Sequence, residues 1–338
     1  AITATSGPSN GCTMKMAILL VAILALLFAG VTVAVYATAP RRPPPIASIE
    51  RSETGLAVTL GDLPRISRLA VTNGAPLAYR LYPGQAGAGV VVLVHGSSGH
   101  SVVMHPLARA LAQAGITVYA VDLRGHGETP PLGDIDYAGQ LDDDIAELAD
   151  FAAGQHPGER RLLIGHSLGG GFALRIATGL GGNRFAGFIA LSPFIAADFP
   201  GYRPLSGGWA NVSIARILVL SMLDRLGFTA FDWLPVIAYA VPETTRSVRT
   251  ATYSHRLLEN ASFPRAWREG MRRIVLPARV IIGADDELFD ASAYPAAFAD
   301  VAPAIPVTLV KGVSHMGMIL DDTAIGVVVT AAQQLLGN

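Results

Sequence analysis

Six short runs of aliphatic and β-branched residues, separated by helical patterns, constrain this chain more than any other feature. They read GVVVLVHG, TVYAVDLRG, RLLIGHS, FAGFIALSP, ARVIIGADD and IPVTLVKGVSH. Strands alternating with helices form βαβ units, which require a largely parallel sheet covered on both faces. Each run carries glycine, histidine, aspartate or serine toward its C-terminal end. In an open α/β sheet these ends converge on one edge, and ligands bind there. Two earlier segments, Ile66 to Thr72 and Leu77 to Leu81, flank an Asn-Gly-Ala turn and predict an antiparallel hairpin.

Helices are expected over Pro106–Ala114, Tyr137–Ala153, Gly170–Thr178 and Thr323–Leu336. In the second, Leu141, Ile145, Leu148 and Phe151 recur at helical spacing, so Asp142 to Asp144 read as a solvated face rather than a metal site. At 338 residues and 51% apolar content the chain can bury a large core. A formal net charge of −1, with mixed signs and no basic block, excludes electrostatic capture of nucleic acid. The single cysteine, Cys12, permits neither an intrachain disulfide nor a thiolate zinc cluster.

Residues 1–15 read as a tail. Residues 16–39 are uncharged and flanked by Lys15, Arg41 and Arg42, long enough for the roughly 20 residues that a bilayer requires. They predict a single-pass N-terminal transmembrane anchor. A cleaved secretory signal is the alternative, with Val35 and Ala37 near the cleavage point. One lysine before the segment against two arginines after it leaves the side of the membrane open. The Pro-rich residues 40–48 form an extended spacer, and the globular domain is expected over 49–338. Within it, residues 199–273 interrupt the alternation. They are rich in leucine, Trp209, Trp233 and Trp267, contribute no obvious strand, and predict a mostly helical cap over the strand edge.

Ser167 lies in Gly165-His166-Ser167-Leu168-Gly169, directly after a strand and before a helix. A sharp turn with glycines on both sides lifts such a serine above the sheet edge. Its hydroxyl needs a base, and the base needs an orienting acid, in chain order serine, acid, histidine. His255 and His315 are the histidines that follow Ser167. His255 falls inside the insertion, so His315, just past the last strand, is the expected base. After the preceding strand stand Asp285, Asp286 and Glu287; Asp286 is the expected acid and Asp285 the alternative. The backbone N–H of Leu168 and that of Ser97 in VHGSSGH, with Ser98 as alternative, are the expected oxyanion donors. Gly96 lets that loop approach closely, and His95 and His100 read as strand-end packing rather than metal ligands.

The motifs VHGSSGH, AVDLRGHGET and LIGHSLGGG resemble the α/β-hydrolase superfamily, in its monoglyceride lipase and lysophospholipase-like branch, from about Leu69 to the end of the chain. The resemblance implies a nucleophilic Ser167, the late Asp286 and His315, an oxyanion donor at Ser97, and a cap that shapes the acyl or leaving-group pocket. It implies a serine hydrolase of carboxylic esters, monoacylglycerol or lysophospholipid in type, with no cofactor or metal. An amidase, aminopeptidase or thioesterase with the same triad is the alternative, and a non-catalytic binding protein of this fold is a further one. An aminopeptidase needs cap acids to hold an ammonium; Asp224, Asp232, Glu243, Glu259 and Glu269 are scattered in sequence. The expected partners are a small-molecule or lipid ester and a membrane.

Overall fold

The computed structural model describes residues 10–51, 60–242, 249–264 and 266–337. Eight strands form the main sheet: β1 (Ile66–Leu69), β2 (Leu77–Tyr82), β3 (Val90–Val94), β4 (Thr117–Val121), β5 (Arg161–His166), β6 (Gly187–Leu191), and the late strands Ala278–Gly283 and Val307–Val310. Three further strands, β7 (Ala210–Val212), β8 (Pro235–Tyr239) and β9 (Thr252–Ser254), form a separate sheet, so the late pair are β10 and β11. The main sheet runs β1-β2-β4-β3-β5-β6-β10-β11. It is parallel from β4 to β11 and antiparallel where β2 meets β1 and β4. The hairpin and all six expected strands are present.

Strands β3, β4 and β6 are buried at every residue, as strands covered on both faces must be. This is why they read as unbroken apolar runs without alternation. The helices are α1 (Asn10–Ala37), α2 (His105–Gln113), α3 (Gln140–Gln155), α4 (Leu168–Ala177), α5 (Ile214–Arg225), α6 (His255–Ala261), α7 (Trp267–Arg272), α8 (Tyr294–Val301), α9 (Gly317–Leu320) and α10 (Asp322–Leu336). Local chemistry sets their ends. Pro106 opens α2, where a missing N–H costs nothing. The Asp321 carboxylate accepts from the N–H groups of Thr323 and Ala324 at the start of α10, and left-handed Gly337 (φ 84°) ends it.

Three expectations need correction. The insertion is not without strands: among the described residues, β7, β8 and β9 build an antiparallel sheet beside its helices, with α5 between β7 and β8. Three-residue strands such as β7 and β9 are too short to show a period in sequence. Asp144 is not on a solvated face. It is buried against the equally buried Arg124, 2.8 Å from its Nε, and Asp142 holds Arg175 through a two-pronged contact. Finally, α1 starts at Asn10, inside the expected tail, and among the described residues no helix is long and apolar enough to cross a membrane. Its last turn belongs to the globular part instead. Val35 packs on Leu220, Leu234 and Val236, and its carbonyl accepts from the guanidinium of Arg216. The transmembrane helix is therefore not supported.

Candidate active site

Ser167 stands at the junction of β5 and α4 with φ 57° and ψ −120°, a left-handed conformation that is uncommon outside glycine. The glycines around it are forced by contact. A Cβ on Gly165 would run into the carbonyl of Gly169, and one on Gly169 into the carbonyl of His95. This is the tight strand-to-helix turn expected from the sequence. Among the described residues, the Ser167 hydroxyl makes no hydrogen bond within the chain, and it lines a narrow cleft with Gly96, Ser97, His166, Trp209 and His315.

On the far side of β6, the turn after β10 carries Asp286 and the turn after β11 carries His315. Nδ1 of His315 donates to Oδ2 of Asp286 at 2.8 Å. The other oxygen, Oδ1, accepts from the backbone N–H groups of Leu288 and Phe289 at 2.9 Å each. Burial raises the Asp286 carboxyl, but the charge and hydrogen bond of His315 and the Phe289 N–H outweigh it and hold the group below its ordinary value. Asp285, in contrast, is exposed. Glu287 has a role the sequence did not suggest: Oε2 accepts from the His315 N–H at 2.9 Å while Oε1 accepts from Ser48.

His166 lies outside the Asp286–His315 pair and supports it. Its Nε2 donates to the His315 carbonyl at 3.1 Å, and the two rings pack with centroids 4.7 Å apart. Burial, and then the charge of His315, lower His166 to about 3. His95 is likewise lowered, to about 4, chiefly by burial, with Nδ1 bonded to the Gly96 carbonyl and Nε2 accepting from Leu123 N–H. Packing at the strand end is thus the role of His95, as expected.

These histidines predict an acid limit on stability. Each is neutral in the fold but takes a proton in the unfolded chain below about 6.5, so the unfolded state binds more protons as pH falls. Stability should therefore decline from about pH 6.5 downward, by up to about 1.4 kcal/mol per pH unit for each such group. Urea unfolding between pH 7.5 and 4.5 measures this, and His166→Gln should flatten the slope; an unchanged slope in the variant would rule out its contribution.

Leu168 is the first residue of α4, where a backbone N–H has no intrahelical acceptor. Ser97 follows Gly96, at which an added Cβ would stand 2.9 Å from the Cβ of Ser167, so this loop approaches the serine as closely as packing allows. The Ser97 hydroxyl accepts from the indole N–H of Trp209. Ser98 has φ 64°, and its N–H is committed to the Tyr253 hydroxyl at 2.9 Å. That hydroxyl in turn meets Nε2 of His126. Arg249 packs over Trp209 and donates to the Ser98 carbonyl. Trp209, Tyr253 and Arg249 all come from the cap, and nothing in their local sequence signals the site.

Beyond the cleft, an apolar cavity of about 670 Å³ runs from Ser167 and Leu168 under the cap, lined by residues including Phe194, Trp209, Ile217 and Phe263. A positive-φ serine on a strand-to-helix turn, with a buried acid–histidine pair on the neighbouring strand ends, defines the α/β-hydrolase class. Residues 85–321 match the family described as serine aminopeptidase, S33, and the chain belongs to that family, in its monoglyceride lipase-like branch. It is 36% identical over 107 residues to a monoacylglycerol lipase of Mycolicibacterium smegmatis, covering 30% of this chain and 37% of that protein. It is 29% identical over 147 residues to a human monoglyceride lipase, covering 42% and 45%. These matches span less than half the length of the curated relatives. Among solved structures, a soluble variant of the Saccharomyces cerevisiae monoglyceride lipase with a substrate analog superimposes with a TM-score of 0.61 at 18% identity, over 81% of this chain and 95% of that one. This structural likeness establishes the fold.

Proposed function

We propose that this chain is a serine hydrolase that cleaves carboxylic esters through an acyl-enzyme, with substrates of monoacylglycerol or lysophospholipid type. The observation that carries the proposal is the junction of Ser167, on its strained turn, with a large apolar cavity beside the Asp286–His315 pair. Because Nδ1 of His315 is tied to Asp286, Nε2 is the nitrogen available to take the Ser167 proton. Attack forms a tetrahedral intermediate whose oxyanion lies against the N–H groups of Leu168 and Ser97. His315 returns the proton to the leaving alcohol, and water then releases the acyl group by the same steps. With the Ser98 N–H held by Tyr253, Ser97 is the better second donor. The relatives named as lipases support an apolar acyl group, as does the lining of the cavity.

A panel of p-nitrophenyl esters of rising acyl length, run beside monoacylglycerol, lysophospholipid and an aminoacyl amide, tests the substrate class. kcat/KM is expected to rise from acetate to medium-chain esters, and a maximum at acetate would refute the lipid reading. Cleavage of an amide beside a free ammonium is a second reading. It has one observation in its favour, the carboxylate of Glu259 at the cavity wall.

Association of α1 with a membrane is also proposed. Met16, Leu19, Leu20, Val21 and Leu26 are each more than half exposed, and the helix carries no charge beyond Lys15. An apolar phase would cover them. The full chain should pellet with membranes and a form lacking residues 10–34 should not; equal recovery of both in the supernatant would refute the association.

A further inference from the structure

Three cap residues from three different elements meet away from the catalytic cleft: Asp224 in the last turn of α5, Asp232 in the loop before β8, and His255 at the start of α6. Nδ1 of His255 stands 3.4 Å from Oδ2 of Asp224 and 3.4 Å from Oδ1 of Asp232, and the three atoms all lie within 4.8 Å of one another. His255 is 1% exposed and Asp232 9%. Yet His255 Nδ1, Asp232 Oδ1 and Asp224 Oδ1 are buried without a hydrogen-bond partner. Leaving even one such atom unsatisfied costs about 1–3 kcal/mol. A single imidazole proton cannot serve two carboxylates at once.

We infer that His255, Asp224 and Asp232 form a divalent metal site in the cap, suited to a Zn²⁺-like ion. Ligand bonds of about 2.0–2.2 Å in a tetrahedral shell place neighbouring donors roughly 3.3–3.6 Å apart, the spacing found for both histidine–carboxylate pairs, and the carboxylate oxygens lie within 4.8 Å of each other. One imidazole and two carboxylates make a neutral site with a dication and leave the fourth position to water. The second shell fits as well. With the metal on Nδ1, Nε2 carries the proton and faces the Ser221 hydroxyl at 3.2 Å. The neighbouring cation, Arg256, is already engaged by Asp134.

The site joins the end of α5 to the start of α6, and these helices supply Ile217 and Leu258 to the cavity wall. A bound ion would set the width of that wall. It takes no part in the reaction at Ser167, so the site stands or falls independently of the ester-cleaving proposal.

The test is calorimetric titration of the EDTA-treated, dialysed full chain with ZnCl₂. One equivalent should bind, with a rise in Tm, and Co²⁺ in its place should give the intense visible bands of a tetrahedral N/O site. Asp224→Asn and His255→Gln should each weaken binding at least about tenfold. Asp224→Asn, at a side chain 31% exposed, serves as the variant expected to fold, checked by circular dichroism and by undiminished fluorophosphonate labelling. Failure of the wild type to bind at millimolar Zn²⁺, or binding of equal strength in both variants, would overturn the inference.

Discussion

Ser167→Ala is expected to lower kcat for ester hydrolysis about 10⁵- to 10⁶-fold, the scale at which loss of a triad serine is felt elsewhere, while KM changes little. The same substitution should abolish covalent labelling by a fluorophosphonate. Because alanine meets the same left-handed backbone at position 167 as serine does (φ 57°), the strain of the turn is unchanged. Thermal stability should therefore stay within about 1 kcal/mol of the wild type. Labelling or turnover that survives Ser167→Ala would place the nucleophile elsewhere, and absence of labelling in the wild type would favour a non-catalytic binding protein.

Asp286→Asn is expected to reduce kcat about 10⁴-fold with the fold intact. The direction of the effect follows from the two N–H groups of Leu288 and Phe289, which both donate to Oδ1 of Asp286. An asparagine there must keep its oxygen toward those donors, so its NH₂ points at Nδ1 of His315. Nδ1 then accepts, the ring proton moves to Nε2, and the nitrogen facing Ser167 can no longer act as a base. Asp285→Asn, on an exposed neighbour, is the control and should alter kcat less than about twofold. Comparable losses in both variants, measured by steady-state kinetics, would remove Asp286 from the role of orienting acid.

How much of this was legible beforehand depended on whether a residue's neighbours were local. Strands β3 to β6 and β10 announced themselves because burial of all or nearly all of their residues leaves an apolar run that needs no partner to be read, whereas β11, exposed at Thr308 and Leu309, was legible from its β-branched composition. The Ser167 turn was legible because the strand, the glycines and the helix lie within ten residues. Asp286 could be preferred to Asp285 only by its position after the strand; burial of one and exposure of the other made the difference physical. The bond from Glu287 to the His315 backbone spans 28 residues, that from Trp209 to Ser97 112, and that from Tyr253 to Ser98 155. None of them leaves a periodic trace. The acids of the cap looked scattered for the same reason, although two of them stand beside His255.

The order of the strands of the main sheet, and the order of serine, acid and histidine along the chain, were determined by the sequence alone, because hydrophobic period and turn chemistry act over a few residues. Which hydroxyl, N–H and carboxylate come within bonding distance was decided by the tertiary structure. A parallel sheet brings the ends of strands distant in the chain to one edge, and only packing on that edge and under the cap determines which polar groups are buried together and which are left to meet solvent or a ligand.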